Sequence, residues 1–242
     1  MIDLNSLKNL NIQIYLDGAD LDIVKKENNN SLIKGYTSNP SLMHQSGIKS
    51  YENFIKDFLK ITKKPVSFEV TDDELDNIEI QARKISSFGK NIYVKIPVTN
   101  TKGNSTIPII KKLTKDNIKL NITAIFTTHQ LQEIINNINS NTEIILSIFA
   151  GRIADTGVNP ENLFIETKKF IINKKKENFK LLWASVREVY NIYQADKVGC
   201  DIITVTQDIL KKVVLKNKNL EEYSIETVKM FYNDAKKGNL SI

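Results

Sequence analysis

Cysteine is almost absent from this chain of 242 residues, and Cys200 is the only one. A disulfide framework and a thiolate zinc cluster are thereby excluded, since both need several cysteines. Histidine is nearly as scarce, with His44 and His129 alone. Neither stands at the end of an apolar run, and no group of ligand-type residues has metal spacing, so no metal and no cofactor are expected. Long hydrophobic runs are also missing: IFA after EIILS is far too short to cross a bilayer, and no membrane partner is expected. The start, MIDLNSLKNLNIQIYLD, lacks the basic, apolar and small-residue regions of a secretory signal, which makes a cytoplasmic location the default expectation. With 9 glycines and 5 prolines, no Pro/Gly/Ser-rich linker divides the chain, and no tandem repeat is visible. One domain over residues 1–242 is the simplest organisation.

What is plentiful is Lys, Asn and Ile, as in KKENNNS, INNINSNT and NKKKEN. The net charge is +6. A nucleic-acid surface gathers its basic residues on one face or motif. Here they are spread along the chain and often sit beside acids, as in DELDNIEIQARK and KNKNLEEYSIETVK, so no nucleic-acid partner is expected.

A regular pattern emerges once the hydrophobic residues are read by period. Short β-branched runs alternate with longer amphipathic stretches. The runs are QIYLD (13–17), IKGYTSN (33–39), VSFEV (66–70), NIYVKIPV (91–98), KLNITAIF (119–126), TEIILSIFAG (142–151), FKLLWASV (179–186) and DIITVT (201–206). Helical patterns follow, most clearly YENFIKDFLKIT, ELDNIEIQARKIS, THQLQEIINNIN, PENLFIETKKFIIN and REVYNIYQADKV. Eight such units predict a parallel sheet closed into a single (β/α)8 TIM barrel. An open doubly wound sheet is the alternative, but no glycine-rich dinucleotide loop follows any run.

In a closed barrel no strand has a solvent edge, and that sharpens one question. In NIYVKIPVTN, Ile92, Val94, Ile96 and Val98 share one face and should meet the outer helices. Tyr93, Lys95 and Pro97 then point inward, which places Lys95 near the C-terminal end of its strand, where barrel active sites lie. The other strand ends carry Asp17; Thr37, Ser38 and Asn39; Glu69; Asn121 and Thr123; Ser147, followed by Arg152; and Ser185 with Arg187. One polar strand end can be a helix cap. Seven in succession point instead to a site on one rim.

The chemistry suggested by this set is covalent. Burial among apolar walls favours a lysine's neutral amine. A neutral amine can form a Schiff base with a ketone, and the imine accepts the electrons of a breaking carbon–carbon bond. Proton transfers then need carboxylates, and Asp17 and Glu69 are placed for them. Arg152 and Arg187, with Ser185 between them, suit a phosphate group.

At this point the chain resembles the transaldolase family, in particular its short single-barrel branch, which includes the fructose-6-phosphate aldolases. IYLDGAD, GYTSNPSL, VSFEV, IYVKIPVT, LNITAIF, SIFAGRI, LLWASVR and VGCDIITVTQDIL carry the resemblance in order over nearly the whole chain. It implies a class I aldolase type of barrel with a C-terminal helix, sugar-phosphate substrates, and a homo-oligomer, since short-branch members form rings of subunits. By this resemblance Lys95 is the Schiff-base lysine and Asp17 handles the substrate hydroxyl proton. Glu69 shuttles protons through a water held near Thr123. Asn39 and Asn121 hold the donor's hydroxyls, with Thr37 beside them, and Ser147 lines the pocket. Arg152, Ser185 and Arg187 form the phosphate site. The family moves a dihydroxyacetone unit between sugar phosphates in pentose phosphate metabolism. Glu69 and Phe149 are the transaldolase type, where the aldolases have glutamine and tyrosine.

Two positions depart from the family pattern. Ile148 replaces the proline of the SPF segment, which is expected to alter the loop toward Arg152. Asp234–Ala235 replaces an aspartate–tryptophan pair, which bears on the packing of the last helix. Other features read as structural. Pro40 fixes the turn after Asn39, and Trp183, early in strand seven, belongs to the core. His44 and His129 lie near helix starts as surface or capping groups. Gly199 turns into strand eight, and Cys200 is a small buried hydrophobe.

Overall fold

The computed structural model describes residues 2–240. Its strands are β1 (Gln13–Asp17), β2 (Ile33–Thr37), β3 (Val66–Glu69), β4 (Ile92–Pro97), β5 (Leu120–Ile125), β6 (Ile144–Ile148), β7 (Phe179–Trp183) and β8 (Ile202–Thr206). Each pairs in parallel with the next, and β8 pairs with β1 to close the barrel. The helices are α1 (Leu21–Glu27), α2 (Pro40–Gln45), α3 (Tyr51–Ile61), α4 (Leu75–Ser87), α5 (Ile107–Lys115), α6 (Thr128–Asn137), α7 (Ala150–Ala154), α8 (Glu161–Asn173), α9 (Tyr190–Lys197), α10 (Gln207–Lys211) and α11 (Leu220–Lys237). The protein is a (β/α)8 TIM barrel. Among the described residues, no helix is long and apolar enough to cross a membrane.

Strand alternation divides the apolar residues into two cores. Ile92, Val94 and Ile96 of β4 join the large outer core with helix residues such as Phe54, Phe58, Ile78, Ile110 and Phe164. Tyr15, Tyr93, Ile145, Leu182, Ala184 and Ile202 form a smaller cluster, with Phe149 packed against it. In the outer core, Phe58 meets Tyr36 and Phe68 edge-on at 5.4 Å in each case, the arrangement favoured by ring quadrupoles. Trp183 stacks on Phe164 at 4.6 Å; it is core as expected, but it closes β7 rather than opening it.

The strands are shorter than their apolar runs. β2 ends at Thr37, and Asn39 becomes the cap of α2, accepting from Leu42 N at 3.0 Å, with Pro40 in the first turn. Proline has no N–H to lose there. β6 stops at Ile148 and α7 begins at Ala150. β7 stops at Trp183, and Ser185 adopts φ 64°, a left-handed backbone that regular strand pairing disfavours. Asn39, Arg152, Ser185 and Arg187 therefore lie on the connections beyond the strands. His44 sits in the last turn of α2 and not at its start. Ile148 is fully buried and pairs with Trp183 on one side and, across a register shift in β5, with Ile125 on the other.

Gly35 illustrates how tightly the barrel interior is filled. It pairs in register with Tyr15, and a Cβ at Gly35 would fall 2.5 Å from the Tyr15 ring. The tyrosine occupies the volume that the glycine leaves empty. Gly35→Ala is expected to cost about 1–3 kcal/mol through overpacking, measured by chemical denaturation, and Tyr15→Leu in the same background should recover part of the loss.

Candidate active site

A cavity of about 470 Å³ opens at the C-terminal end of the barrel. Asp17, Thr37, Asn39, Glu69, Lys95, Ser147, Phe149, Arg152, Ser185 and Arg187 line it, joined by Ala184 and Thr204 among others. Of the site residues expected from sequence, Asn121 and Thr123 alone are not in its wall.

Lys95 is 7% exposed. Parallel register sets it between Glu69 of β3 and Asn121 of β5. Its Nζ lies 2.8 Å from Glu69 Oε2 and donates to the Ser38 carbonyl at 3.3 Å. The surroundings are therefore less apolar than the strand pattern suggests, because a carboxylate is in direct contact and can exchange a proton with the amine. Tyr51, on α3, donates its hydroxyl to the Glu69 carbonyl at 2.7 Å and so ties down the end of β3. Burial first, and then the neighbouring Glu69 charge, push the Tyr51 hydroxyl above its ordinary range, which keeps it a donor.

Asn121 departs from its expected place. It is fully buried below the cavity, donating to Ser67 Oγ at 3.0 Å and accepting from Ser147 Oγ at 2.6 Å. These three form a polar floor, because a buried amide must find partners within the barrel. Thr123 is also buried, and its Oγ1 has no hydrogen-bond partner among the described residues.

On the opposite side, Asp17 accepts from the Thr37 hydroxyl at 2.6 Å. Burial pushes the Asp17 carboxyl above the usual carboxylate range, opposed by the Lys95 ammonium and the Thr37 hydrogen bond and reinforced by Glu69. Phe149 packs against Phe126 with ring centroids 5.6 Å apart and presents no polar atom to the cavity.

The basic wall comes from two connections that nearly touch. A Cβ at Gly151 would lie 1.6 Å from the Ser185 carbonyl oxygen, so only glycine lets α7 approach the segment after β7. Arg152 and Arg187 both reach the cavity from this junction. Arg187 is held by the Asp155 carboxylate through Nε and Nη2; the paired carboxylate raises the guanidinium, which in turn lowers Asp155. Sequence reading missed Asp155, Gly151, Ser67, Tyr51 and Thr204. Of these, Thr204 carried a signal, as the polar residue between Ile203 and Val205 on β8, and Ser67 carried the same one, two residues before Glu69 on β3. The others depend on contacts between segments far apart in sequence. His44 and His129 are exposed and do not line the cavity.

A carboxyl held above its ordinary value binds its proton more tightly when folded than when unfolded. Its contribution to stability is full at low pH and declines as pH climbs from the ordinary carboxylate range toward the folded value. The unfolding free energy of the wild type should therefore fall relative to Asp17→Asn as pH rises from about 4, read by denaturation at a series of pH values. Parallel curves would show that Asp17 ionises without penalty.

The family model described as transaldolase/fructose-6-phosphate aldolase matches residues 14–242. A protein named "Probable transaldolase" from Thermoplasma volcanium is 32% identical over 213 residues, covering 87% of this chain and 91% of that one. Another of the same name from a Thermoanaerobacter species is 32% identical over 232 residues, covering 96% and 100%. Among solved structures, 3-hexulose-6-phosphate synthase from Salmonella typhimurium superposes with a TM-score of 0.56 at 12% identity, over 85% of this chain and 99% of that one. Dihydrodipicolinate synthase from Rhodopseudomonas palustris does so with 0.57 at 10%, over 93% and 79%. The solved structures share the barrel, whereas the match that runs from β1 to the end of the chain is one of family: this protein belongs to the transaldolase/fructose-6-phosphate aldolase family.

Proposed function

We propose that the protein is a Schiff-base transaldolase that transfers a dihydroxyacetone unit from a ketose phosphate of the fructose 6-phosphate class to an aldose phosphate. The observation that carries this reading is the buried Lys95 amine with Glu69 at 2.8 Å, facing the same cavity as Asp17. Glu69 takes a proton from Nζ, and the free amine adds to the donor's carbonyl. Loss of water from that adduct gives the imine, with Glu69 and Thr123 serving the water that carries the proton. Asp17 then accepts the proton of the hydroxyl beside the scissile bond. The bond's electrons pass into the imine, the aldehyde fragment leaves, and an enamine remains on Lys95. An acceptor aldose phosphate adds to the enamine by the reverse steps, its phosphate held by Arg152, Ser185 and Arg187. Asn39 holds donor hydroxyls with its amide N–H, because its oxygen is engaged as the α2 cap.

The alternative is an aldolase that releases free dihydroxyacetone. Phe149 favours transfer, since a phenyl ring puts no hydroxyl at that position in the wall to protonate the enamine or hold a water, which leaves the enamine waiting for an aldehyde.

The test is borohydride reduction in the presence of fructose 6-phosphate, read by intact and peptide mass. A stable adduct on the Lys95 peptide, lost in Lys95→Arg, is the expected result. Turnover of the donor should require an aldose phosphate acceptor and yield no free dihydroxyacetone, so free dihydroxyacetone at full rate without acceptor sinks the transferase reading. A folded protein that forms no adduct with any ketose phosphate is a silent barrel.

The reading includes a homo-oligomer. Helix α11 runs for 18 residues without a buried one, and it exposes Leu220, Val228, Phe231 and Tyr232 among other apolar side chains. None of its residues lines the cavity. An apolar face of this extent in water favours association. Sedimentation should give a single species at a multiple of the 27.6 kDa chain, and a monomer at micromolar concentration would overturn this part.

A further inference from the structure

Thr204 stands on β8, 6% exposed, in the wall of the cavity. Its Oγ1 lies 2.5 Å from Thr37 Oγ1, and Thr37 Oγ1 lies 2.6 Å from Asp17 Oδ1. β2 and β8 flank β1 on its two sides, and register places Thr37 beside Asp17 and Thr204 beside Tyr15. Three strands thus present a short chain of oxygens, Thr204–Thr37–Asp17.

The direction of the hydrogen bonds in this chain follows from counting protons. A threonine hydroxyl carries one hydrogen and can accept through its lone pairs. When Asp17 is ionised, Thr37 must give its hydrogen to the carboxylate. Thr204 is then the donor to Thr37, so that both hydroxyl dipoles point at the anion. When Asp17 is protonated, the chain can reverse, with the carboxyl donating to Thr37 and Thr37 to Thr204. In either state the Thr37 hydrogen is engaged within the chain and is not offered to a substrate hydroxyl.

We propose that Thr204 is a positioning residue that commits the Thr37 hydroxyl to Asp17, leaving Asp17 as the group on this side of the cavity that exchanges a proton with the substrate. Linked hydrogen bonds polarise one another, so the outer hydroxyl strengthens the inner bond to the carboxylate. Lys95 of β4 and Glu69 of β3 are the charged groups that bear on Asp17, and the flanking strands present Thr37 and Thr204. The catalytic part of this assignment rests on the transaldolase reading; the hydrogen-bond chain does not.

The experiment follows the Asp17 carboxyl carbon by NMR in protein carrying isotope-labelled aspartate, with the resonance identified by its loss in Asp17→Asn. Thr204→Val keeps the side-chain volume and removes the hydroxyl, and Thr204→Ser restores it. The Asp17 midpoint should rise by about half a pH unit in Thr204→Val and return in Thr204→Ser, with the acid limb of kcat/KM moving by the same amount. Superimposable titrations for wild type and Thr204→Val overturn the proposal. So does a shift that Thr204→Ser fails to reverse, because packing and not the hydroxyl would then be responsible. If the carboxyl shifts as expected but the wild type shows no imine adduct, the positioning role stands and the transaldolase reading falls.

Discussion

Closure of the barrel, made when β8 pairs with β1, is the constraint from which the other features follow. A closed sheet has no edge, so every inward side chain must fit a fixed interior or face the cavity at its mouth. Near the middle that requirement selects Tyr15 against Gly35. Toward the C-terminal end it brings Asp17, Glu69 and Lys95 from three different strands to one cavity. Lys95 and Glu69 share a register position on adjacent strands, so their contact is a consequence of sheet pairing more than of either loop.

The site has two mechanically different halves. The acid–base half rests on strands, with its hydrogen bonds passing between β1, β2, β3, β4, β5, β6 and β8. The Thr37–Asp17, Lys95–Glu69 and Asn121–Ser67 contacts are all cross-strand. Strand-borne groups hold their geometry because each neighbour is fixed by two ladders of backbone bonds. The basic half rests on connections, where Arg152 and Arg187 are exposed and Gly151 permits the two segments to meet. This division suits a reaction in which bond making needs precise placement while a phosphate handle must enter and leave.

Much of the fold was legible in the residues. The alternation of β-branched runs with amphipathic stretches is enough to count eight units, and the period of two in NIYVKIPV correctly separates Ile92, Val94 and Ile96 from Tyr93 and Lys95. Strand ends were less legible, because SIFAG and LLWASV stay apolar beyond the last strand residue and GYTSN gives no break in pattern at Thr37. What ends those strands is local: the Asn39 cap with Pro40, the start of α7, and the positive φ of Ser185. Residue types and order likewise named most of the cavity wall. Asn121 was expected in the wall from its strand-end position and from the resemblance, yet it is buried between Ser67 and Ser147, partners on other strands that its own strand does not encode.

By itself, the sequence determined the barrel, the family and the identity of the lysine that faces inward, because each rests on local period or on contiguous segments such as VKIPVT and GYTSNPSL. Tertiary structure decided which polar groups touch. The pairing of Lys95 with Glu69, the burial of Asn121 between Ser67 and Ser147, the Asp155 clamp on Arg187 and the Thr204–Thr37–Asp17 chain join residues from 20 to 167 positions apart. Such contacts are set by the closure and stagger of the whole sheet, and closure is a property of eight strands together.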